Sequence, residues 1–418
     1  MAINNFALWA ARRMRLRRGA PSSTATGVVI AVAGVALALS IMELTLCIAG
    51  GFKSEIERKV LGFGAPLTVL APYDVATAQT DAVFVPSDTL RDLVASVIPS
   101  GSRTSDAIRL QAIVKTDSDF TAVEMVAHSP GHDFTFERSN MVRGTFPDFA
   151  DTASAKSVVI SAALARTLNI DTAARPFLYF FADGDVKARR ATVSGIYSSS
   201  FSDYDKAVVY ASPRLLQGLS HRPIITGIDI ENVPDADIDI LADTLQQHLV
   251  RAYQSGALPT LHPVTDIHRT GALYFNWLDL LDTNVVVIFI LMLCVAGFTL
   301  VSSLFIIVLD RVPFIGVLRA IGARKHTVTA IFMHLALRLV GAGVIIGNLL
   351  GLGLCLLQRG SRLIPLDPEM YYLSYVPVLI HWPAIVALNI GTIAVAAAIL
   401  LIPARFAASV DPGATMRY

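Results

Sequence analysis

The sequence predicts a membrane protein: four transmembrane α-helices, with a large α+β domain inserted between the first and the second. The 418 residues are 54% hydrophobic and only 16% charged, with a mean hydropathy of +0.57, too apolar for an ordinary soluble chain. Apolar runs at 24–51, 284–309, 328–357 and 383–402 each reach the roughly 20 residues that cross a bilayer. Between the first two runs, residues 52–283 alternate short strand-type and helix-type patterns.

Residues 1–23 carry Arg12, Arg13, Arg15, Arg17 and Arg18. They read either as an amphipathic helix along the membrane surface or as a plain topology signal. The first span is too long, and too poor in cleavage signals, for a removed signal peptide. Its small residues Gly27, Ala31, Gly34 and Ala38 permit close helix packing. Glu43 in its outer half has two readings, a wet or substrate-lined cavity or the outer interface. The helix is expected to run on past the membrane and end near Gly62 and Gly64.

In the inserted segment, residues 67–70 and 83–85 read as strands and 88–98 as a helix. Residues 108–115 and 121–127 form a hairpin across the KTDSD turn. Residues 177–181 and 191–197 are expected to make a second hairpin around 182–190. Residues 207–210 and 227–230 read as strands and 238–253 as an amphipathic helix. The segment is large enough for its own core, in one or two subdomains.

No catalytic residue is expected. The segment lacks HExxH, GxSxG and any paired His/Cys cluster, and no GxxxxGK[ST] occurs in the chain. His128, His132, His221, His262 and His268 are scattered and read as solvated, and Asp203 and Asp205 as turn residues. Cys47, Cys294 and Cys355 fall in apolar runs, which excludes a disulfide framework or a CxxC metal site, and no metal is expected. A net charge of +1 gives no basis for nucleic-acid binding.

Residues 310–327 link the second and third spans. Ile315, Leu318 and Ile321 recur at three-residue spacing behind Pro313, and Arg311, Arg319 and Arg324 accompany them. The pattern fits a short helix that docks a partner, and equally a solvated turn with topogenic arginines. In the third span a row of glycines includes Gly347-x-x-x-Gly351, and His334 and Arg338 lie near its start. A short connection, 358–382, precedes the fourth span, and 403–418 forms the tail. The positive-inside rule puts both termini and the 310–327 linker in the cytoplasm, and the 52–283 and 358–382 segments outside.

The linker IGVLRAIGAR and the ending PARFAASVDPGATMR, with one span before the large domain and three after it, resemble the FtsX-like, type VII ABC permeases. GFKSEIERKVLGFGAPLTVL, RGTFP at 143–147, VVISAALARTLNI at 158–170 and VSGIYSSSFSDYDKAVVYASPRLLQGL at 193–219 are similar to the lipoprotein-releasing, Lol-type branch. That resemblance implies a permease dimer, homomeric or heteromeric, in the bacterial inner membrane. It also implies two copies of a separate P-loop ATPase, which bind the ATP and magnesium; the permease itself holds no cofactor. The 310–327 linker then becomes the coupling helix, with Arg311, Phe314, Ile315, Leu318, Arg319, Ile321 and Arg324 as contacts. Lipoprotein cargo would pass by Met42, Glu43, Leu46, Tyr274, Phe275 and Leu278 to a periplasmic carrier. Lys187, Arg189 and Arg190 are candidate carrier contacts, on a hairpin shorter than the family's. The family also places an acidic residue where this chain has Phe314. The resemblance leaves two further branches open: an FtsX-like permease that moves its external domain to regulate a cell-wall hydrolase, and a MacB-like exporter.

Overall fold

The computed structural model describes residues 22–74, 79–80, 83–117, 119–182, 185–219, 224–234 and 237–409. The basic N-terminal segment before Ser22, the PGATMR ending and His221 lie outside them. The chain divides into two compact units, one of spans and one drawn mainly from residues 55–276.

In chain order, α1 spans Ser22–Phe63 and β1 Leu67–Leu70, followed by α2 (Asp88–Val97), β2 (Arg103–Lys115) and β3 (Phe120–His128). Next come α3 (Thr135–Ser139), β4 (Met141–Gly144), β5 (Ser157–Ser161) and α4 (Ala162–Thr167). After β6 (Phe177–Ala182), β7 (Asp185–Arg190) and β8 (Thr192–Tyr197) lie α5 (Ser202–Ala207), β9 (Val208–Ala211) and α6 (Pro213–Gln217). β10 (Gly227–Glu231), α7 (Ile238–Gln254), β11 (Val264–Asp266) and α8 (Ile267–Thr270) complete the domain. The remaining helices are α9 (Ala272–Asp310), α10 (Val312–Ala320), α11 (Lys325–Ser361), α12 (Pro368–Tyr371) and α13 (Trp382–Ser409). α1, α9, α11 and α13 are long and apolar enough to cross a membrane.

The inserted domain is built on one sheet of 11 strands in the order β11-β1-β10-β2-β3-β9-β5-β8-β4, with β6 and β7 branching from β2. β2 is long enough to serve two partners on one edge: residues 103–107 pair with β10 and residues 112–115 with β6. On the other edge residues 107–115 of β2 pair with β3, as the KTDSD turn predicts. One face closes over Val126, Phe149, Val159, Tyr197, Val208 and Tyr210, and the Tyr197 hydroxyl donates to the Val208 carbonyl at 2.9 Å.

Three strand expectations are corrected. Residues 182–190 are not a connecting loop: β7 pairs with β6 from Phe177↔Arg190 to Ala182↔Asp185. β8, expected as the hairpin partner of β6, instead runs parallel to β5 and antiparallel to β4. The charged sequence DVKARR reads as loop, but β7 is an edge strand, where charged side chains are tolerated and discourage edge-to-edge pairing. Residues 83–85 make only an isolated bridge, Phe84↔Ile225.

In the span unit, Ala31, Val35, Leu300, Leu304, Val328, Phe332 and Leu400 share one core. The glycine row of α11 forms a groove for α1. A β-carbon at Gly347 would stand 3.0 Å from the Ala36 carbonyl and 3.1 Å from Leu39 Cβ. The small-xxx-small spacing thus serves close packing within the chain. His334 donates Nδ1–H to the Ala330 carbonyl at 2.7 Å, and Arg338 lies on the exposed face of α11.

Candidate functional site

The linker after α9 forms the nine-residue helix α10. Arg311 caps its start and Pro313 occupies the first turn, where its missing N–H costs nothing. Gly322, at φ +99°, closes it. The Gly322 N–H donates to the Arg319 carbonyl and the Ala323 N–H to the Leu318 carbonyl, each at 3.0 Å, the paired bonds of a Schellman cap.

Ile315 is fully buried and joins the span core; Leu318 packs against Ile331. Ile321, expected on the same face, is 80% exposed. At about 3.6 residues per turn, a three-residue repeat drifts off one face within two steps. The face left bare is instead Phe314, Val317 and Ile321, spaced i, i+3, i+7, at 38%, 53% and 80% exposure. Val317 is the member that sequence spacing missed. Arg311 and Arg319 are half-buried and Arg324 is exposed.

The inserted domain holds a buried charged centre that scattered histidines did not announce. Asp229 of β10 is 1% exposed. It accepts from Thr68 Oγ1 at 2.8 Å and from Arg109 Nη2 at 2.7 Å, and His128 Nδ1 lies 3.5 Å away. The His128 ring stacks on His132 at 3.8 Å. His132 in turn sits between Glu231, at 2.5 Å, and Glu137, at 3.4 Å. Burial, aided by the neighbouring His132 charge, pushes His128 down to about 3. Burial also works against His132, but its bonds to Glu137 and Glu231 outweigh it and raise the ring to about 9. Burial works against the Asp229 charge too, yet the Arg109 guanidinium holds its carboxyl below the usual range.

The two rings predict a stability maximum. Below the ordinary histidine value of about 6.5, an unfolded chain takes up a proton that buried His128 refuses. Its contribution therefore falls as pH drops from about 6.5 toward about 3. Folded His132 keeps a proton the unfolded chain releases, so its contribution is full below about 6.5 and is lost as pH rises through about 9. Thermal unfolding of the full chain in detergent, scanned in pH, should peak near about 6.5. His132→Asn should flatten the alkaline limb and, by removing the charge that helps hold His128 down, also soften the acid limb; an unchanged alkaline limb would contradict the assignment.

Asp203 and Asp205 do more than shape a turn. Asp205 is buried and accepts from Ser199 Oγ at 2.6 Å. Asp203 accepts from the Tyr274 hydroxyl at 2.8 Å and the Tyr372 hydroxyl at 3.2 Å. Of the candidate cargo residues, Met42, Glu43 and Leu278 are enclosed by the chain, at 0%, 0% and 2% exposure. Glu43 is therefore enclosed by its own chain and does not line an open cavity. Leu46, Tyr274 and Phe275 keep partial surface; the Phe275 ring sits edge-on to His268 at 4.7 Å. On the β6–β7 hairpin, Lys187 Nζ donates to the Leu219 carbonyl and Arg189 Nη2 to the Gly218 carbonyl, each at 2.9 Å. Arg190 stands over the Phe177 ring at 5.3 Å. Phe177, Phe181 and Val186 are exposed there, so the hairpin offers apolar surface as well as charge.

Residues 286–412 match the FtsX-like permease C-terminal family. Among characterised proteins, the chain is 24% identical over 421 residues to the lipoprotein-releasing system transmembrane protein LolC of Xylella fastidiosa (strain 9a5c), covering 93% of this chain and 92% of that one. It is 28% identical over 156 residues to the lipoprotein-releasing system transmembrane protein LolE of Haemophilus influenzae, covering 35% and 37%. Among solved structures, the periplasmic region of MacB from Actinobacillus actinomycetemcomitans aligns at 11% identity and TM-score 0.34, covering 52% and 98%. The extracellular domain of the Gram-positive transporter YknZ aligns at 12% identity and TM-score 0.33, covering 49% and 100%.

Proposed function

We propose that this chain, an ABC-transporter permease of the FtsX type with Lol-like similarity, is the membrane subunit of a complex that extracts lipoproteins from the inner membrane. The observation that carries the reading is the end-to-end alignment, over 93% of the chain, with a relative named for lipoprotein release. The chemistry is consistent with it. Acyl chains leave a bilayer at a cost of about 0.8 kcal/mol per CH₂, so release needs an energy source, and a permease takes it from partner ATPase subunits.

Each of two ATPase copies, holding ATP and magnesium, would seat the Phe314, Val317 and Ile321 face of one α10, with Arg311, Arg319 and Arg324 around it. Both termini would then be cytoplasmic and the inserted domain periplasmic. A second permease subunit completes the dimer. Leu46, Tyr274 and Phe275 are the candidate cargo contacts that keep surface. The β6–β7 hairpin, with Lys187, Arg189 and Arg190, is the candidate carrier contact.

Depletion of the protein tests the reading. Triacylated lipoproteins bound for the outer membrane should accumulate in the inner membrane, read by membrane fractionation. Normal sorting after depletion would refute lipoprotein release and turn attention to an FtsX-like permease that regulates a cell-wall hydrolase.

A further inference from the structure

Glu43 lies where α1 meets α11 and α13. It is 0% exposed, and neither of its carboxyl oxygens has a hydrogen-bond partner of standard geometry. It lies over Gly351 of α11, where a β-carbon would collide with Oε2, and against the Asn389 side chain of α13. The titratable groups facing it are Cys47 on α1 and Cys355 on α11. α9 brings Leu293, Ala296, Gly297 and Leu300 to a separate small cavity lined also by Val35 of α1 and Thr392 of α13. No ion pair joins Glu43 to a basic side chain among the described residues.

The hydrogens around it can be counted. Asn348 donates to the Val344 carbonyl at 2.8 Å and to Asn389 Oδ1 at 2.7 Å. Asn389 donates to Asn348 Oδ1 at 3.1 Å and to the Ile385 carbonyl at 2.9 Å. Each amide has two N–H groups, so both are fully spent, while each Oδ1 keeps an acceptor lone pair. What the two amides lack is a free N–H, and the Cys47 and Cys355 thiols are only weak donors. An ionised carboxylate there would be a buried charge with no amide N–H left to meet it, a costly arrangement in hydrocarbon.

We propose that Glu43 is a proton-binding site of the span bundle: it is held as the neutral acid, and its O–H donates to the amide oxygen of Asn389. The bond clasps α1 to the α11–α13 pair, and Gly351 provides the space for it. The clasp is independent of the cargo the protein handles.

Infrared spectroscopy of the full chain in detergent at neutral pH, wild type against Glu43→Gln, tests the proposal. The expected result is a protonated-carboxyl C=O stretch in the wild type that is absent from the variant. Glu43→Gln should also fold with an unchanged melting temperature, because glutamine supplies an N–H donor in the same volume. Glu43→Leu, which fills the space without a donor, should melt lower. A difference spectrum containing only carboxylate bands would overturn the proposal, as would a Glu43→Gln chain that fails to fold.

Discussion

Replacing Asp229 with alanine should destabilise the inserted domain by about 3–5 kcal/mol, the usual cost of removing one partner of a buried ion pair. Asp229 is 1% exposed and sits on β10, between β1 and β2. It takes both guanidinium nitrogens of Arg109, at 3.2 and 2.7 Å, and the Thr68 hydroxyl at 2.8 Å. Alanine leaves the Thr68 hydroxyl and a guanidinium that is 24% exposed without their acceptor, beside a His128 ring that burial keeps neutral. At about 2–4 °C per kcal/mol for a domain of this size, the shift in Tm is about 6–20 °C. The double change Asp229→Leu with Arg109→Met should recover much of it, because it removes both charges and keeps the volume. A loss below about 1 kcal/mol for Asp229→Ala would mean that water already compensates the pair.

The spans were the most legible part of the sequence because their signal is local: a long apolar run declares itself without reference to the rest of the chain. The β2–β3 hairpin was legible for the same reason, since its turn lies between its strands. β8 was not. Its alternating pattern marks it as a strand but does not name a partner, and its parallel partner β5 lies across the intervening β6–β7 hairpin. The His128–His132 centre needs Glu231 and Asp229, which reach it only through sheet pairing. One local hint existed, an aspartate inside the apolar strand GIDIE, since a carboxylate buried in a sheet must be paired. Glu43 likewise depends on Asn389, which belongs to a different helix. The inserted domain was therefore legible as a class and as a list of strands, and its charged centre was not. The linker helix was legible in place, but Ile315 and Leu318, read on one face with Ile321, pack inward, and Val317 was not singled out.

That face sets the second large expectation. Phe314→Asp should reduce recovery of the ATPase with the permease by about 10- to 100-fold. Fully burying a large apolar side chain is worth about 1.5–3 kcal/mol, and each 1.4 kcal/mol is about tenfold in affinity. The aspartate would also carry a charge into the contact. Ile321→Asp should act similarly, since Ile321 is the most exposed of the three, at 80%. Neither change touches the anchor of the helix: Ile315 stays in the span core, so the chain should fold and reach the membrane in normal amounts. Ile315→Asp is the opposite case and should lower the amount of folded chain itself. Arg319→Glu alters a half-buried side chain and should weaken docking less than Phe314→Asp, because exposed charge pairs contribute about 0–1 kcal/mol. The order of effects distinguishes an apolar contact from an electrostatic one. If Arg319→Glu abolishes ATPase recovery while Phe314→Asp leaves it intact, the contact is carried by charge, and the Phe314, Val317 and Ile321 face has some other partner.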